Sequence, residues 1–323
     1  MVPSKAMNGV TSKFDTAKLF AASVGFDGQS VAVLQDVVNT ALVELAPREA
    51  RLASELAEAI RYSLLAPGKR ARALVVLLSA ADMGVSVPSV IQPACAVELL
   101  HTASLVMDDL PCMDNAHVRR GLTSAHVRFG EDTAILAAIT MLSDAYGLVA
   151  RCATLDAHCK TDIIGQLSAA IGLDGLAAGQ HLDLKTADER EMASRVEQIY
   201  RLKTGALFAA AWLGGRAATQ EGVVLATLHE FGMKVGIAFQ AYDDLADRLG
   251  SMETAGKDVR ADVLKTTLVA LEGANSAQAR ADETFEDALC DLARIGQDKG
   301  RLAHFVVELR DKLRSRMVSD APA

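Results

Sequence analysis

Apolar residues recur at intervals of three and four along almost the whole chain from Val31 onward. This spacing is typical of amphipathic helices, and no alternation with a period of two indicates strands. Only 7 prolines interrupt the pattern, and Gly or Pro marks the short turns. We therefore predict an all-α chain that folds as a single bundle of about ten to twelve helices. The predicted helices are 31–46, 48–65, one that opens at 69 and continues through 81, one from near Pro88 to Asp108, 131–153, 160–171, 188–202, 206–213, 222–247, 265–271, 277–294 and 301–315.

The first thirty residues lack this pattern. We expect residues 1–30 to form an N-terminal arm ahead of one helical domain that spans residues 31–323. Three lysines in the arm are typical of a targeting peptide. Two aspartates, and the lack of a compact apolar segment with a small-residue cleavage site, favour a loose arm instead.

Composition argues against several classes of protein. A net charge of −8 is unlike that of nucleic-acid-binding proteins, which normally present a basic surface. No uninterrupted apolar run reaches the ~18 residues that cross a bilayer, so no membrane span is expected. The five cysteines form no C-x-x-C pair and no metal-ligand spacing, which favours reduced thiols in a cytoplasmic protein.

One segment, from Glu98 to Asp114, ends an apolar helix in three carboxylates. Carboxylates there are costly to desolvate and oppose the helix dipole, so they need a cation such as a hard metal ion. On a straight helix Asp108 and Asp114 would point about 240° apart. Pro111 disfavours continued helix, and we expect a bend that returns Asp114 toward Asp108. A solvated acidic helix end is the simpler alternative.

A second acidic cluster contains Gln240, Asp243, Asp244 and Asp247. Asp243 and Asp247 are four residues apart, which places them on one helix face, and Gln240 lies one turn earlier. Like charges at this spacing repel unless they share a cation. One such patch is most often a solvated face, but two patches that each end an apolar helix favour metal binding.

Basic residues stand beside chain breakers and beside both acidic clusters. Singly, each is a routine surface charge, but as groups they indicate ligands for phosphate oxygens, for which arginine offers a forked geometry. His101 precedes Asp108 by two turns and lies about 20° off its face. A lone histidine is more often a core residue, but we expect this one to face the same cavity. The basic groups are Lys69, Arg70 and Arg72; Arg119 and Arg120; Lys203; and Lys257 with Lys265.

Together these motifs resemble those of the trans-isoprenyl diphosphate synthases. The first acidic motif has the form DDxxxxD (Asp108, Asp109, Asp114) and the second has the form DDxxD (Asp243, Asp244, Asp247). The resemblance runs from about residue 65 to residue 267 and is greatest to bacterial geranylgeranyl diphosphate synthases. Ala73 stands where the family usually has proline. The accompanying motifs occur in the expected order: Gly68-Lys69-Arg70-x-Arg72, Arg119-Arg120-Gly121, Lys203-Thr204, Phe239-Gln240 and Gly256-Lys257.

The resemblance implies an isoprenoid synthase fold around a central cavity, a homodimer, and head-to-tail prenyl transfer by ionisation, condensation and elimination, in carotenoid or related diterpenoid biosynthesis. It implies three Mg²⁺ ions and substrates that are an allylic diphosphate and isopentenyl diphosphate. The departing diphosphate would take the proton, so no protein base is required. The implied metal ligands are Asp108, Asp109, Asp114, Asp243, Asp244 and Asp247. The implied catalytic residues are Asp108, Asp109, Asp114, Asp243, Asp244 and Lys203. Arg119, Lys203, Thr204, Gln240, Lys257 and Lys265 would hold the allylic diphosphate. Lys69, Arg72, His101 and Arg120 would hold isopentenyl diphosphate.

Two small residues on the helix before Asp108 bear on product length. The related farnesyl synthases commonly have an aromatic ring at the position of Ala103, which closes the floor of the pocket. Ala103 and Ser104 leave room for a longer chain, so we expect geranylgeranyl diphosphate as the product. A floor on a neighbouring helix is the alternative.

Three other functions fit parts of the pattern. A farnesyl or longer-chain synthase differs only in pocket depth. A class I terpene cyclase also uses helical aspartates, but it normally lacks the basic motifs for a second diphosphate. A non-catalytic subunit of a heteromeric prenyltransferase usually loses one acidic motif, and both are present here.

Overall fold

The computed structural model describes residues 31–47, 53–185, 192–250 and 267–319 of the 323-residue chain. These residues are almost entirely helical, which confirms the predicted fold class. The N-terminal arm lies outside them. The elements are α1 (Val31–Leu45), α2 (Ser54–Leu64), α3 (Ala71–Asp82), α4 (Val87–Asp108), β1 (Val118–Arg119), β2 (Leu122–Thr123), α5 (Ala125–Phe129), α6 (Glu131–Ala150), α7 (Ala157–Ile171), α8 (Leu176–Asp183), α9 (Met192–Ile199), a π-helix (Tyr200–Gly205), α10 (Ala206–Phe208), α11 (Ala211–Arg216), α12 (Gly222–Gly250), α13 (Leu268–Glu272), α14 (Ala274–Arg294) and α15 (Arg301–Ser319).

Helix α4 lies at the centre of the bundle. It packs against α1, α3 and α6, and 16 of its 22 side chains are buried. A helix that is apolar on all sides gains most by lying inside the protein. Ser86 and Pro88 mark its beginning, where proline costs no intrahelical hydrogen bond. Its last residue is Asp108, so the first acidic cluster lies where the central helix ends.

Helix α12 carries the second acidic cluster and packs against α11, α14, α15 and the π-helix. Tyr242 fixes it from the side: its hydroxyl donates to Asp282, and the Arg314 guanidinium bonds both the tyrosine oxygen (3.2 Å) and the carboxylate (2.9 Å). The second acidic cluster is therefore carried by a long core helix, whereas the first begins at the last residue of α4 and continues into the turn that follows.

A two-stranded antiparallel hairpin, β1 with β2, follows the first acidic cluster. The pattern of the sequence predicts no strand, so this element corrects the prediction. Arg120 and Gly121 form the two-residue turn with φ of 55° and 75°, which is the combination that a tight hairpin turn requires. The turn places Arg119 and Arg120 on adjacent positions above the end of α4.

Several predicted helix bounds are also wrong. Helix α3 begins at Ala71 because Arg70 has a left-handed φ of 51°. The predicted helix 206–213 is divided into α10 and α11, and the prediction missed α5 and α8. The predicted helix 188–202 ends in a π-helical turn that extends it to Gly205. Such turns are frequent at functional sites.

Three described helices, α4, α6 and α12, are long and apolar enough to cross a membrane by length and composition alone. The expectation of no membrane span therefore stays a prediction. Most of the apolar stretch of α4 is buried within the bundle, whereas α6 has a largely exposed side.

Candidate active site

The chain bends sharply after α4, as the proline predicted. The backbone N–H of Asp114 donates to the carbonyl of Asp108 (2.9 Å), so the turn returns to the end of the helix. Asn115 adopts a left-handed φ of 49° as the chain leaves the turn. Asp108 and Asp109 are only 8% and 3% exposed, and buried carboxylates require compensating charge.

Part of that charge comes from the hairpin. Arg119 donates through Nε (2.8 Å) and Nη2 (2.5 Å) to Oδ1 of Asp109. Burial raises the pKa of Asp109, and the bond and charge of Arg119 act against this rise. In this structure Arg119 therefore bonds a protein carboxylate, and Asp109 retains only Oδ2 for another cation.

Lys203, in the π-helix, lies near the first acidic cluster. Its Nζ bonds Oδ2 of Asp183 at 2.7 Å. Burial lowers the pKa of this lysine, but the nearby charges of Asp108, Asp183 and Asp114 raise it by more, so its pKa lies above the usual value. Lys203 is therefore a permanent cation beside the first acidic cluster.

The second acidic cluster lies on an unbroken part of α12, so Asp243 and Asp247 share a helix face as predicted. Burial lowers the pKa of Arg72 to about 10, and the negative charges of Glu98 and then Asp243 act against this fall, so Arg72 lies near the second acidic cluster. Asp244 accepts hydrogen bonds from the Tyr200 hydroxyl and from Nε2 of Gln240 (2.8 Å). Burial raises the pKa of Asp244 to about 6.

A basic cluster of Lys69, Arg72, His101 and Arg120 forms next to the acidic residues. Arg72 Nη1 and Arg120 Nη2 each lie 3.2 Å from Nε2 of His101. Because a guanidinium can only donate, the histidine nitrogen accepts both bonds and the ring proton lies on Nδ1. Burial, then the charges of Arg72 and Arg120, lower the pKa of His101 well below its ordinary value.

Two aromatic rings and one glycine shape this basic cluster. The Cζ atom of Arg72 lies 4.4 Å from the ring centre of Phe208, and the Nζ of Lys69 lies 5.3 Å from that of Phe239. The electron-rich faces of the rings attract these cations. A Cβ atom on Gly68 would come within 3.2 Å of the Arg120 guanidinium, so glycine gives the arginine room. The four residues that the family resemblance assigns to isopentenyl diphosphate thus lie together, and their role as its ligands stays a prediction.

Arg70, which the sequence grouped with the phosphate ligands, is directed away from them. Its side chain is buried beside Glu98 (3.6 Å) and donates to Asn39 (3.0 Å) and to two backbone carbonyls that end α2. Glu98 also accepts from the backbone N–H of Ala73 (3.2 Å), which a proline at that position would lack. Arg70 is therefore a structural residue.

Helix α8 contributes residues that sequence reasoning missed. Asp183 binds Lys203, and a Cβ on Gly179 would lie 2.4 Å from the backbone nitrogen of Lys203, so the two helices touch at this glycine. The buried amide of Gln180 has no hydrogen-bond partner within the described parts of the chain. The signal was present as Gly179-Gln180-x-x-Asp183, in which the polar residues are one helical turn apart.

The residues predicted to set product length lie on α4. Ala103 is fully buried, and Ser104 is buried with its hydroxyl donating to the carbonyl of His101 (2.9 Å). Lys257 and Lys265 lie outside the described residues, so their predicted contacts stay predictions.

The donor set fits a hard divalent cation in its chemistry, because carboxylate oxygens dominate both clusters and Mg²⁺ prefers such ligands. Within residues 31–47, 53–185, 192–250 and 267–319, however, no three His, Cys, Asp or Glu side chains converge on one point as they stand. Asp109 and Asp244 already accept from Arg119 and Tyr200.

Comparisons with known proteins agree with this geometry. Residues 53–299 match the family model described as polyprenyl synthetase. A geranylgeranyl diphosphate synthase of Pseudescherichia vulneris is 38% identical over 86% of this chain and 90% of its own. A farnesyl diphosphate synthase of Escherichia coli is 36% identical over 74% of this chain and 82% of its own.

Solved structures lead to the same family. The geranyltranstransferase of Thermotoga maritima superposes with a TM-score of 0.74 at 32% identity, covering 88% of this chain and 99% of that one. An FPP/GFPP synthase from Zymomonas mobilis superposes with a TM-score of 0.71 at 27% identity, covering 93% and 97%. With one acidic cluster at the end of α4, the other on α12 and a basic cluster next to them, the chain belongs to the polyprenyl synthetase family of prenyltransferases.

Proposed function

We propose that this protein is a Mg²⁺-dependent geranylgeranyl diphosphate synthase that condenses isopentenyl diphosphate with an allylic diphosphate. The observation that carries the proposal is the juxtaposition of two acidic clusters, of which Asp108 and Asp109 are buried, with a partly buried basic cluster. The reaction needs that arrangement, because two diphosphates must be bound side by side in a site that excludes water.

The acidic clusters would receive the allylic diphosphate through metal ions, three in number from the family resemblance. Asp108, Asp109 and Asp114 would bind them on one side and Asp243, Asp244 and Asp247 on the other. The metal would neutralise the negative charge that grows on the leaving diphosphate. Lys203, held by Asp183, would place a fixed cation at the same oxygens.

The basic cluster would bind isopentenyl diphosphate. Arg72 and Arg120 each donate one N–H to the neutral imidazole of His101, which holds both guanidinium groups in position. Their other N–H groups can then donate to the substrate. Forked donors suit diphosphate oxygens. The rings of Phe208 and Phe239 cover the cations on one side, so the bound diphosphate would be only partly hydrated.

The carbon–carbon bond would form between these two sites. The double bond of isopentenyl diphosphate attacks the allylic cation, the allylic carbon–oxygen bond having broken, and the proton lost afterwards goes to the departing diphosphate. The neutral His101 has its Nε2 lone pair committed to two arginines, so it does not serve as a base. This supports a mechanism without a protein general base.

The length of the product rests on the helix below Asp108. Ala103 is small and fully buried, whereas an aromatic ring there would shorten the space beside α4. Relatives of both product classes have similar identity to this chain, so identity does not distinguish the two products, and the proposed product length rests on Ala103. Incubation of the purified protein with isopentenyl diphosphate and dimethylallyl, geranyl or farnesyl diphosphate tests it. A dominant product other than geranylgeranyl diphosphate overturns the specific proposal.

We also infer that the working form is a homodimer. Leu136 and Ile139 on α6 are 52% and 54% exposed, and Ile135 and Leu142 beside them are half-buried. An exposed apolar face of this kind marks a contact surface. A second copy of the chain suits it, because the same apolar face on both subunits is self-complementary about a twofold axis.

A further inference from the structure

Tyr200 joins the second acidic cluster to the beginning of α13. It is the first residue of the π-helix and is 3% exposed. Its hydroxyl donates to Oδ2 of Asp244 and accepts from the backbone N–H of Leu268 (3.3 Å). Sequence reasoning gave this tyrosine no role, and the mechanism above does not use it.

The hydrogen bonds around Tyr200 have a fixed direction. Because the hydroxyl accepts from Leu268, its own proton is directed to Asp244. The other oxygen of Asp244 accepts from Nε2 of Gln240 (2.8 Å), and Oε1 of Gln240 accepts from the hydroxyl of Thr204 (2.7 Å). Reversal of the Gln240 amide would set two acceptor oxygens against each other, so Asp244 determines the orientation of that amide.

The Leu268 end of this network has its own physical reason. Leu268 is the first residue of α13, and amides in the first turn of a helix have no intrahelical partner. Tyr200 satisfies that N–H, while the side chain of Thr267 accepts from the N–H of Ala270 (3.2 Å). The beginning of α13 is therefore held to the π-helix through one phenol oxygen.

We propose that Tyr200 is a positioning residue for prenyl transfer. Its hydroxyl fixes the carboxylate of Asp244 and, through it, the Gln240 amide and the Thr204 hydroxyl, which are two of the groups proposed to contact the allylic diphosphate. This inference rests on the proposed function for its kinetic consequence, but the hydrogen-bond network stands apart from it. Tyr200 acts through these neighbours and does not touch the substrate.

The test is Tyr200→Phe, which removes the hydroxyl and keeps the ring. We expect the KM for the allylic diphosphate to rise by about tenfold or more, as for a lost hydrogen bond to a carboxylate, with little change in the KM for isopentenyl diphosphate. Tyr242→Phe is the matched control, because it removes a tyrosine–aspartate bond on the side of α12 that faces α14 and α15. Unchanged kinetics in Tyr200→Phe, or an equal loss in both variants, overturns the proposal.

A double-mutant cycle with Asp244→Asn tests the route of the effect. If Tyr200 acts through Asp244, the double variant has nearly the same KM as the worse single variant. Additive effects contradict that route. Binding of inorganic diphosphate with Mg²⁺, measured by calorimetry, supplies a readout without turnover and is expected to weaken in Tyr200→Phe and not in Tyr242→Phe.

Amide hydrogen exchange in the unaltered protein tests the network without any variant and without any substrate. The N–H of Leu268 is expected to exchange as slowly as amides inside α14, although it opens a helix. Fast exchange at Leu268 overturns the network. Slow exchange in a protein that forms no prenyl product would contradict the proposed function but would still support the hydrogen bond between Tyr200 and Leu268.

Discussion

Replacing His101 with leucine measures what the neutral imidazole contributes to the basic cluster. The two guanidinium nitrogens each lie 3.2 Å from His101 Nε2, so they are at most about 6.4 Å apart. At that distance their repulsion is about 2.6 kcal/mol for an effective dielectric constant of about 20. The imidazole offsets this repulsion by accepting from both, and leucine offers no acceptor.

A hydrogen bond from a charged donor contributes about 1.5–3 kcal/mol, and bonds at 3.2 Å belong at the lower end. Loss of both bonds, at about 1.5 kcal/mol each, is therefore expected to cost up to about 3 kcal/mol of isopentenyl diphosphate binding, or up to a roughly 100-fold rise in its KM. His101→Gln, which keeps an acceptor oxygen, should retain most of the binding. The exposed His304→Gln on α15 is the control.

Steady-state kinetics with the allylic substrate held at saturation is the assay. The reasoning fails if His101→Leu and His101→Gln have the same KM for isopentenyl diphosphate, or if the KM for the allylic substrate rises instead. It also fails if the pH dependence of this KM near pH 6.5 differs between the unaltered enzyme and His101→Gln, since a neutral His101 should not titrate there.

The lowered pKa of His101 predicts how stability depends on pH. Below its ordinary value of 6.5 the unfolded chain binds a proton at this residue, while burial beside Arg72 and Arg120 keeps the folded chain unprotonated. The unfolding free energy therefore falls as pH falls below 6.5, by up to about 1.4 kcal/mol per pH unit from this residue. Denaturant titrations of His101→Leu should lack that portion of the slope.

Three further changes address the other proposals. Asp108→Ala or Asp243→Ala is expected to lower kcat by orders of magnitude with a melting temperature close to that of the unaltered protein, and near-normal turnover would contradict the metal assignment. Ala103→Phe is expected to shift the product toward farnesyl diphosphate in product chromatography, whereas an unchanged length would move the pocket floor to another helix. Ile139→Glu should convert a dimer to a monomer in analytical ultracentrifugation, while Val223→Glu on α12, which replaces an even more exposed apolar residue, should not. A dimer in both variants would place the contact elsewhere.

The fold class was predictable because helical periodicity depends on the spacing of apolar residues that are close together in the sequence. Apolar spacing alone located α1, α12, α14 and α15 to within a few residues. The prediction was wrong where conformation depends on single backbone torsions or on contacts from elsewhere. Arg120 and Gly121 form a hairpin turn that has no periodic pattern, and the π-helix after α9 is indistinguishable from ordinary helix in its spacing.

In the candidate site, too, some features could be predicted from the sequence and others could not. The two acidic clusters are local motifs, and the sequence by itself determined both of them and the residue types that surround them. It also determined the bend at Pro111, because a proline restricts its own backbone and that of its neighbour.

Only the tertiary structure decided which cations meet which anions. Arg70 and Arg72 are two residues apart, yet one is buried against Glu98 and the other donates to His101. Likewise, Tyr200 meets Asp244 across 44 residues and Leu268 across 68. The pairing energy of a charge or a hydroxyl depends on distance in space and on burial, and neither quantity is present in the order of residues until the helices have packed.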